Sequence, residues 1–317
     1  MFGSPVVGQT GDIYFGSLDG TVYAVTPHGD LRWRYSTRDA VWSSPAVAGD
    51  VVYIGSADDT LYALEAASGA VRFARKVGDC ADPVGKGREG TRCDVDGSPA
   101  VTADGTVWVG ANGVHAITPD GHLRVTYGAA HVFGGPAVAP DGRVYFGAQD
   151  DRLRAISPDG TLLWEYRAGD HVDSTPAVLP DGGVAFGSDD GRLYALAPDG
   201  TLRFSLQTRG DVRAAPALAE DGTIYAASFD GSLYAVKPDG TLKFAYRAGG
   251  RILSSPVIDA DGNLYFGTQD DSVHSVAPDG SGRWIARFAD DVDSTPAIGA
   301  DGTLYVGCDD GALHALR

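Results

Sequence analysis

Residues 175–206, TPAVLPDGGVAFGSDDGRLYALAPDGTLRFSL, contain four short apolar segments separated by three turns. The segments are 176–179, 183–187, 192–196 and 201–206, and their alternating side chains have the two-residue period of a β-strand. The turns carry Asp-Gly, in which glycine supplies the positive φ that tight hairpins need. The stretch therefore predicts a sheet of four antiparallel strands.

The same unit recurs eight times along the chain. Each copy opens at a proline, and five of the seven intervals between these prolines are 40 residues: Pro5, Pro45, Pro99, Pro136, Pro176, Pro216, Pro256 and Pro296. A period of this length with four strands is typical of a β-propeller that has one blade per repeat. We therefore predict an all-β, eight-bladed propeller of four-stranded antiparallel blades, formed by residues 1–317 as a single domain.

An aromatic residue occupies the same place in the second strand of nearly every copy. The residues are Tyr14, Tyr53, Trp108, Tyr145, Tyr225, Tyr265 and Tyr305, and the exception is Ala185. Because one sheet cannot bury both of its faces alone, we expect these rings to fill the spaces between neighbouring blades.

The last blade is expected to lack its outer strand within this chain. The sequence begins at the innermost strand of blade one, and residues 314–317 belong to the third strand of blade eight. A bare strand edge invites association. We therefore expect residues upstream of Met1, in a larger parent protein, to supply the fourth strand; the alternative is a three-stranded eighth blade.

Composition excludes several classes of partner and of enzyme. A net charge of −17 argues against binding to nucleic acid or to an anionic membrane surface. No run of apolar residues is long enough to span a bilayer. The nucleophile, phosphate-binding and zinc-protease motifs of common enzymes are absent from the sequence, so no catalytic residue is assigned. We expect a monomer.

One loop insertion, residues 79–94, separates the second and third repeats and contains Cys80 and Cys93. Paired, the two cysteines would close a loop and indicate an oxidising compartment, either periplasmic or extracellular. Two free thiols in a cytosolic chain are the alternative. Two cysteines with no nearby histidine fall short of a zinc site, so no metal is predicted.

Binding residues are best sought where the repeats differ, because the shared positions are explained by the blade. The positions three and five residues before each opening proline vary, precede the innermost strand, and are expected to surround the mouth of the central channel. They predict a ligand or partner face that comprises Trp42, Asp96, His131, Phe133, His171, Asp173, Arg213, Arg251 and Asp293. Solvated loop residues are the alternative, with ion pairs among Asp173, Arg213 and Asp293.

The end of each repeat resembles the tryptophan docking motif of pyrroloquinoline quinone (PQQ) propellers. In residues 61–73 and 153–164, Leu-Tyr-Ala-Leu-Glu or Leu-Arg-Ala-Ile-Ser leads into a turn glycine, and an aromatic residue stands four positions after that glycine. This position holds Trp33, Trp164, Trp284, Phe73, Phe204, Phe244 and, once, Val125. The resemblance covers the whole chain and implies the eight-bladed fold.

The resembled family contains quinoprotein dehydrogenases, which bind PQQ with calcium, and cofactor-free scaffold propellers. The dehydrogenases have adjacent cysteines and long inserted loops, whereas Cys80 and Cys93 here have twelve residues between them and the chain is close to the minimum for eight blades. The resemblance therefore implies a non-enzymatic module, without a cofactor, that binds a protein or peptide through its channel-mouth face. A PQQ- or other small-ligand-binding oxidoreductase or sensor is the alternative.

Overall fold

The computed structural model describes residues 3–77 and 94–317 as strands joined by turns and short loops. The pair Cys80 and Cys93 lies outside the described residues, so the disulfide stays a prediction. Within the described part of the chain, no helix is long and apolar enough to cross a membrane.

Eight antiparallel sheets form the blades, and their strands follow chain order from the hub outward. Blade one contains β1 (Val6–Val7), β2 (Ile13–Gly16), β3 (Thr21–Val25) and β4 (Leu31–Ser36). Blade two contains β5 (Ala46–Ala48), β6 (Val51–Ser56), β7 (Thr60–Glu65) and β8 (Val71–Lys76). Blade three contains β9 (Ala100–Val101), β10 (Val107–Ala111), β11 (Gly113–Ile117) and β12 (Leu123–Gly128). Blade four contains β13 (Ala137–Val138), β14 (Val144–Ala148), β15 (Arg152–Ile156) and β16 (Leu162–Arg167).

The second half of the ring repeats the pattern up to its last blade. Blade five contains β17 (Ala177–Val178), β18 (Val184–Ser188), β19 (Arg192–Leu196) and β20 (Leu202–Gln207). Blade six contains β21 (Ala217–Leu218), β22 (Ile224–Ala227), β23 (Ser232–Val236) and β24 (Leu242–Arg247). Blade seven contains β25 (Val257–Ile258), β26 (Leu264–Thr268), β27 (Ser272–Val276) and β28 (Gly282–Arg287). Blade eight contains β29 (Ala297–Ile298), β30 (Leu304–Gly307) and β31 (Leu313–Leu316). The predicted eight-bladed propeller is confirmed, and the last blade lacks its outer strand within this chain, as expected.

The core lies between blades. The aromatic residues of the second strands are almost fully buried in blades one to four, six and eight, namely Tyr14, Tyr53, Trp108, Tyr145, Tyr225 and Tyr305. Tyr145 of blade four packs in one cluster with Val184 and Phe186 of blade five. Burying these faces against each other stabilises the ring, at roughly 25 cal/mol for each Å² of apolar surface removed from water.

The ring closes between blade eight and blade one. Ile13 and Phe15 pack with Tyr305 in one buried cluster. At the hub, the Thr295 amide donates a hydrogen bond of 2.9 Å to the Ser4 hydroxyl. Four other residues that precede an opening proline donate in the same way to the next blade: Ser4 to Ser44, Gly135 to Thr175, Ala215 to Ser255, and Ser255 to Thr295.

The acidic turns between the second and third strands are explained by backbone geometry. One position of this turn has a positive φ. It is occupied by Gly191 in blade five and by Asp59, Asp151 and Asp271 in blades two, four and seven. Aspartate tolerates this left-handed region better than most residues. The repeated aspartates therefore serve the hairpins that join these strands.

Candidate functional site

A cavity of about 680 Å³ opens at the hub of the propeller, and all eight blades contribute to its lining. This volume is typical of ligand sites in proteins. Seven of the lining residues stand three positions before an opening proline, and we call them the mouth residues: Trp42, Asp96, Phe133, Asp173, Arg213, Leu253 and Asp293. The mouth residues thus bring the variable positions of seven successive repeats into one cavity.

Each mouth residue follows a fully buried aliphatic residue that anchors it. These anchors are Val41, Val95, Val132, Val172, Val212, Ile252 and Val292. In blade five, for example, the backbone at Gly187 lies so close to Val212 that a Cβ placed there would be 2.1 Å from the Val212 carbonyl oxygen. The second strand of one blade therefore holds the segment that carries the mouth residue of the next.

Three of the four polar mouth residues are also held from the preceding blade, by a side chain 24 positions earlier in the sequence. The Gln149 amide donates to Asp173 at 3.3 Å, and the Gln269 amide donates to Asp293 at 3.1 Å. The Arg213 guanidinium donates to Asp189 at 2.9 Å. Each of these contacts lies on a boundary between two blades.

Burial perturbs two of the carboxylates in the mouth. Asp173 is only 5% exposed, and this burial raises its pKa, although Arg213 and the Gln149 amide oppose the shift. Burial also raises the pKa of Asp293 to about 6, and the neighbouring carboxylates of Asp309 and Asp291 add to the effect. The mouth therefore carries carboxylates whose ionisation in the folded protein is unfavourable.

Replacing Asp293 with asparagine is expected to stabilise the protein at pH 8 and to leave it nearly unchanged at pH 4. Folding raises the pKa of the Asp293 carboxyl, so the protonated group stabilises the folded state at pH values below the unfolded pKa of about 4. This contribution to the free energy of unfolding is lost as the pH rises through the folded-state pKa of about 6. After discounting for solvent screening, the gain at pH 8 is about 1–2 kcal/mol. Urea unfolding from pH 4 to pH 8 measures it.

The matched control for this prediction is Asp301→Asn in the same blade. Hydrogen bonds from Thr303 lower the pKa of Asp301, so this substitution is expected to change stability at neutral pH in the opposite direction. Equal dependence of stability on pH in wild type and Asp293→Asn would contradict the prediction.

Asp96 is a second mouth residue whose carboxyl group is enclosed. The residue is 8% exposed, and its Oδ2 lies 3.5 Å from Nε2 of His131, which is fully buried. Its Oδ1 has no hydrogen-bond partner among the residues that the structure describes. The His131 ring also contacts Phe133, with 6.3 Å between ring centroids.

The structure separates the two sets of residues predicted for the mouth. Trp42, Asp96, Phe133, Asp173, Arg213 and Asp293 line the cavity, whereas His131, His171 and Arg251 do not. His131 lies beneath the mouth, against Asp96. The Arg251 guanidinium lies over the Phe229 ring, 5.8 Å from its centroid.

Arg213 does not bridge the mouth to Asp173 or Asp293 in the ion pairs considered from sequence. Instead, its guanidinium binds Asp189 and lies 3.7 Å from Asp211. His171, Asp173 and Asp189 place potential metal ligands within 4.8 Å of one another. Because Arg213 occupies the Asp189 carboxylate, this group is a poor set of free donors for a metal ion.

Sequence reasoning missed the residues that hold the mouth, namely Gln149, Asp189 and Gln269. They follow the second strands of their blades, at a position that differs from repeat to repeat just as the mouth positions do. The constant separation of 24 residues from the mouth residue of the next blade was a usable signal.

Comparison with known proteins agrees with this architecture. A family model described as "Outer membrane protein assembly factor BamB" matches residues 2–87, 79–199 and 158–291. No curated protein sequence matches the chain.

Solved structures with the same fold include proteins of quite different kinds. BamB from Moraxella catarrhalis is 19% identical, with a TM-score of 0.80 over 99% of this chain and 93% of that one. The computationally designed Ika8 protein is 14% identical, with a TM-score of 0.81 over 100% and 97%. A europium-containing methanol dehydrogenase is 15% identical, with a TM-score of 0.77 over 96% and 81%. At these identities the similarity shows the fold.

The charge of the cavity bears on the quinone cofactor that the dehydrogenase resemblance would imply. PQQ is a polycarboxylate, and the lining presents the carboxylates of Asp96, Asp173 and Asp293. Arg213, the one cation among the described lining residues, is already bound to Asp189. Like charges in a partly desolvated cavity repel, so PQQ would need a metal cation to bridge its carboxylates to those of the lining.

Proposed function

The chain belongs to the family described as outer membrane protein assembly factor BamB, and on that premise we propose that it is a non-enzymatic propeller that binds a protein or peptide at its channel mouth. The partner is a protein of outer-membrane assembly, and the propeller acts outside the cytoplasm as a monomer. The observation that carries the proposal is the convergence of the variable repeat positions on one cavity.

The residues of each repeat fall into two groups, those that build the blades and those that line the mouth. Positions that are shared between repeats build the blades and the spaces between them, so they are accounted for by folding. The variable mouth residues are held at fixed places by neighbouring blades, through the anchors and through Gln149, Asp189 and Gln269. Side chains held rigidly around a concave surface suit recognition, because little freedom is lost on binding.

The proposal predicts that peptides selected on this protein bind at the mouth. Selection from a displayed peptide library should give binders whose affinity falls by about 10-fold or more when Trp42 is replaced with alanine. The control is Leu202→Ala, at an exposed position on an outer strand, which should leave the affinity unchanged. Thermal melting checks that both variants are folded.

Two results would contradict the proposal. One is that no peptide is selected, and the other is that the selected peptides bind Trp42→Ala and the wild type equally well. Addition of PQQ with calcium tests the alternative function, since a raised melting temperature on addition would support a cofactor-binding protein instead.

A further inference from the structure

The described lining of the mouth is strongly biased toward negative charge. Three carboxylates line the cavity, Asp96, Asp173 and Asp293, against one guanidinium, that of Arg213. Asp189 binds this guanidinium through two hydrogen bonds, and Asp211 lies beside it. The positive charge of Arg213 is thus matched locally, and the three carboxylates leave an excess of negative charge facing the cavity.

The carboxyl group of Asp96 independently indicates that the cavity binds a hydrogen-bond donor. More than nine-tenths of this residue is buried, yet it lines the cavity. No described residue donates a hydrogen bond to its Oδ1. Buried carboxylate oxygens without a donor are costly and uncommon in folded proteins. A donor that enters through the cavity would relieve this cost.

The residues on either side of Asp96 indicate which kind of donor fits. Trp42 and Phe133 are the mouth residues of the preceding and following blades, and both line the cavity. Aromatic rings attract ammonium and guanidinium groups and pack against their apolar stems. A hard divalent ion prefers several oxygen ligands to aromatic neighbours. The arrangement therefore favours an organic cation.

We propose that the part of the mouth formed by Trp42, Asp96 and Phe133 binds a lysine or arginine side chain of the peptide or protein partner. The ammonium or guanidinium donates to Oδ1 of Asp96, and the aliphatic stem packs against Trp42 and Phe133. A single basic side chain fits within the 680 Å³ of the cavity. This inference rests on the proposed function and names the chemistry of its ligand.

The test uses calorimetric titration of the whole protein with short peptides. The first is acetyl-Gly-Gly-Arg-Gly-Gly-amide, and the second carries citrulline, the uncharged analogue of similar shape, in place of arginine. The arginine peptide is expected to bind about 10-fold or more tightly than the citrulline peptide, because only arginine brings the positive charge. Added salt should reduce the difference in affinity between the arginine and citrulline peptides.

Variants locate the binding to the proposed residues. Asp96→Asn keeps the shape of the side chain and should reduce affinity for the arginine peptide by about 10-fold or more. Phe133→Leu removes the aromatic ring with little change in volume and should also weaken binding, so a second variant remains if Asp96→Asn fails to fold. The control Asp301→Asn, in the turn between β29 and β30, should bind like the wild type.

Each contrary result has a definite meaning. If selected peptides bind at the mouth but contain no basic residue, or if the citrulline peptide binds equally well, this inference is overturned while the proposed function stands. Equal binding of free argininamide would overturn a peptide ligand in favour of a small amine. Calcium binding that Asp96→Asn abolishes, with no binding of the arginine peptide, would overturn it in favour of a metal site. If no peptide is selected at all, the proposed function itself fails.

Discussion

Replacing Trp33 with alanine is expected to lower the free energy of unfolding by about 3–5 kcal/mol, as is typical for a buried tryptophan. The ring is 8% exposed and packs 5.8 Å from the Tyr14 ring, measured between centroids. Its Nε1 donates to the carbonyl oxygen of Ala66 at 2.8 Å, and its face meets the turn at Gly69. Trp33 therefore joins blade one to blade two, and alanine would remove both the packing and the hydrogen bond.

Trp284 is the matched control because it has the same place in blade seven. Blade eight has three strands, so no turn before a fourth strand covers this ring, which is 38% exposed. Trp284→Ala is therefore expected to cost about 1 kcal/mol or less, as for other weakly buried positions. Urea unfolding followed by circular dichroism measures both variants. Equal losses would show that docking between blades is not what makes Trp33 important.

Replacing Gly187 with alanine is expected to destabilise the protein by about 1–3 kcal/mol, the usual cost of forcing an extra carbon into a packed core. The new Cβ would meet the carbonyl oxygen of Val212 at 2.1 Å and its side chain at 2.4 Å. Backbone cannot swing aside as a flexible side chain does, so the segment that carries Arg213 would have to move. Binding at the mouth should weaken together with stability.

Gly128 provides the control for this substitution. It ends an outer strand, and a Cβ added there would meet no heavy atom within 4 Å. Gly128→Ala should be neutral or should stabilise the protein by up to about 1 kcal/mol, because it reduces the freedom of the unfolded chain. If Gly187→Ala were equally harmless, the close contact between blades five and six would not be rigid.

Blade six shows how the contact at Gly187 can be built differently. Its equivalent residue is Ala227, and Ile252 replaces the valine that stands opposite in blades one to five and in blade seven; Ala227 and Ile252 pack in one buried cluster. The methyl group of Ala227 is thus accommodated because the segment that contains Ile252 packs around it. Combining Gly187→Ala with Val212→Ile tests whether the pair can be transferred as a unit.

The blades could be predicted from sequence because their contacts are local. Each strand pairs with the next along the chain, so alternation and Asp-Gly turns specify the hairpins directly. The set three residues before each proline was predicted at the channel, and the seven of these residues that the structure describes line the cavity. Their position follows from their place before the innermost strand, which is the same in every repeat.

The contacts between blades could not be predicted in the same way. His131 and Asp96 come from different repeats, and nothing within one repeat indicates that they meet or that the imidazole is fully buried. For Arg213, the 24-residue offset indicates Asp189, but Asp173 is a second carboxylate that the sequence places near the guanidinium. The distance between adjacent blades decides whether the Arg213 guanidinium binds Asp189 or Asp173.

The constant offset between a mouth residue and the side chain that holds it has a bearing on how such proteins diversify. Gln149 and Asp173 lie between two successive opening prolines, as do Asp189 and Arg213, so a 40-residue cassette that runs from one proline to the next carries a whole recognition pair. A cassette that contained only the four strands of a blade would leave the mouth residue behind. The natural unit of exchange for binding is therefore the segment from one opening proline to the residue before the next.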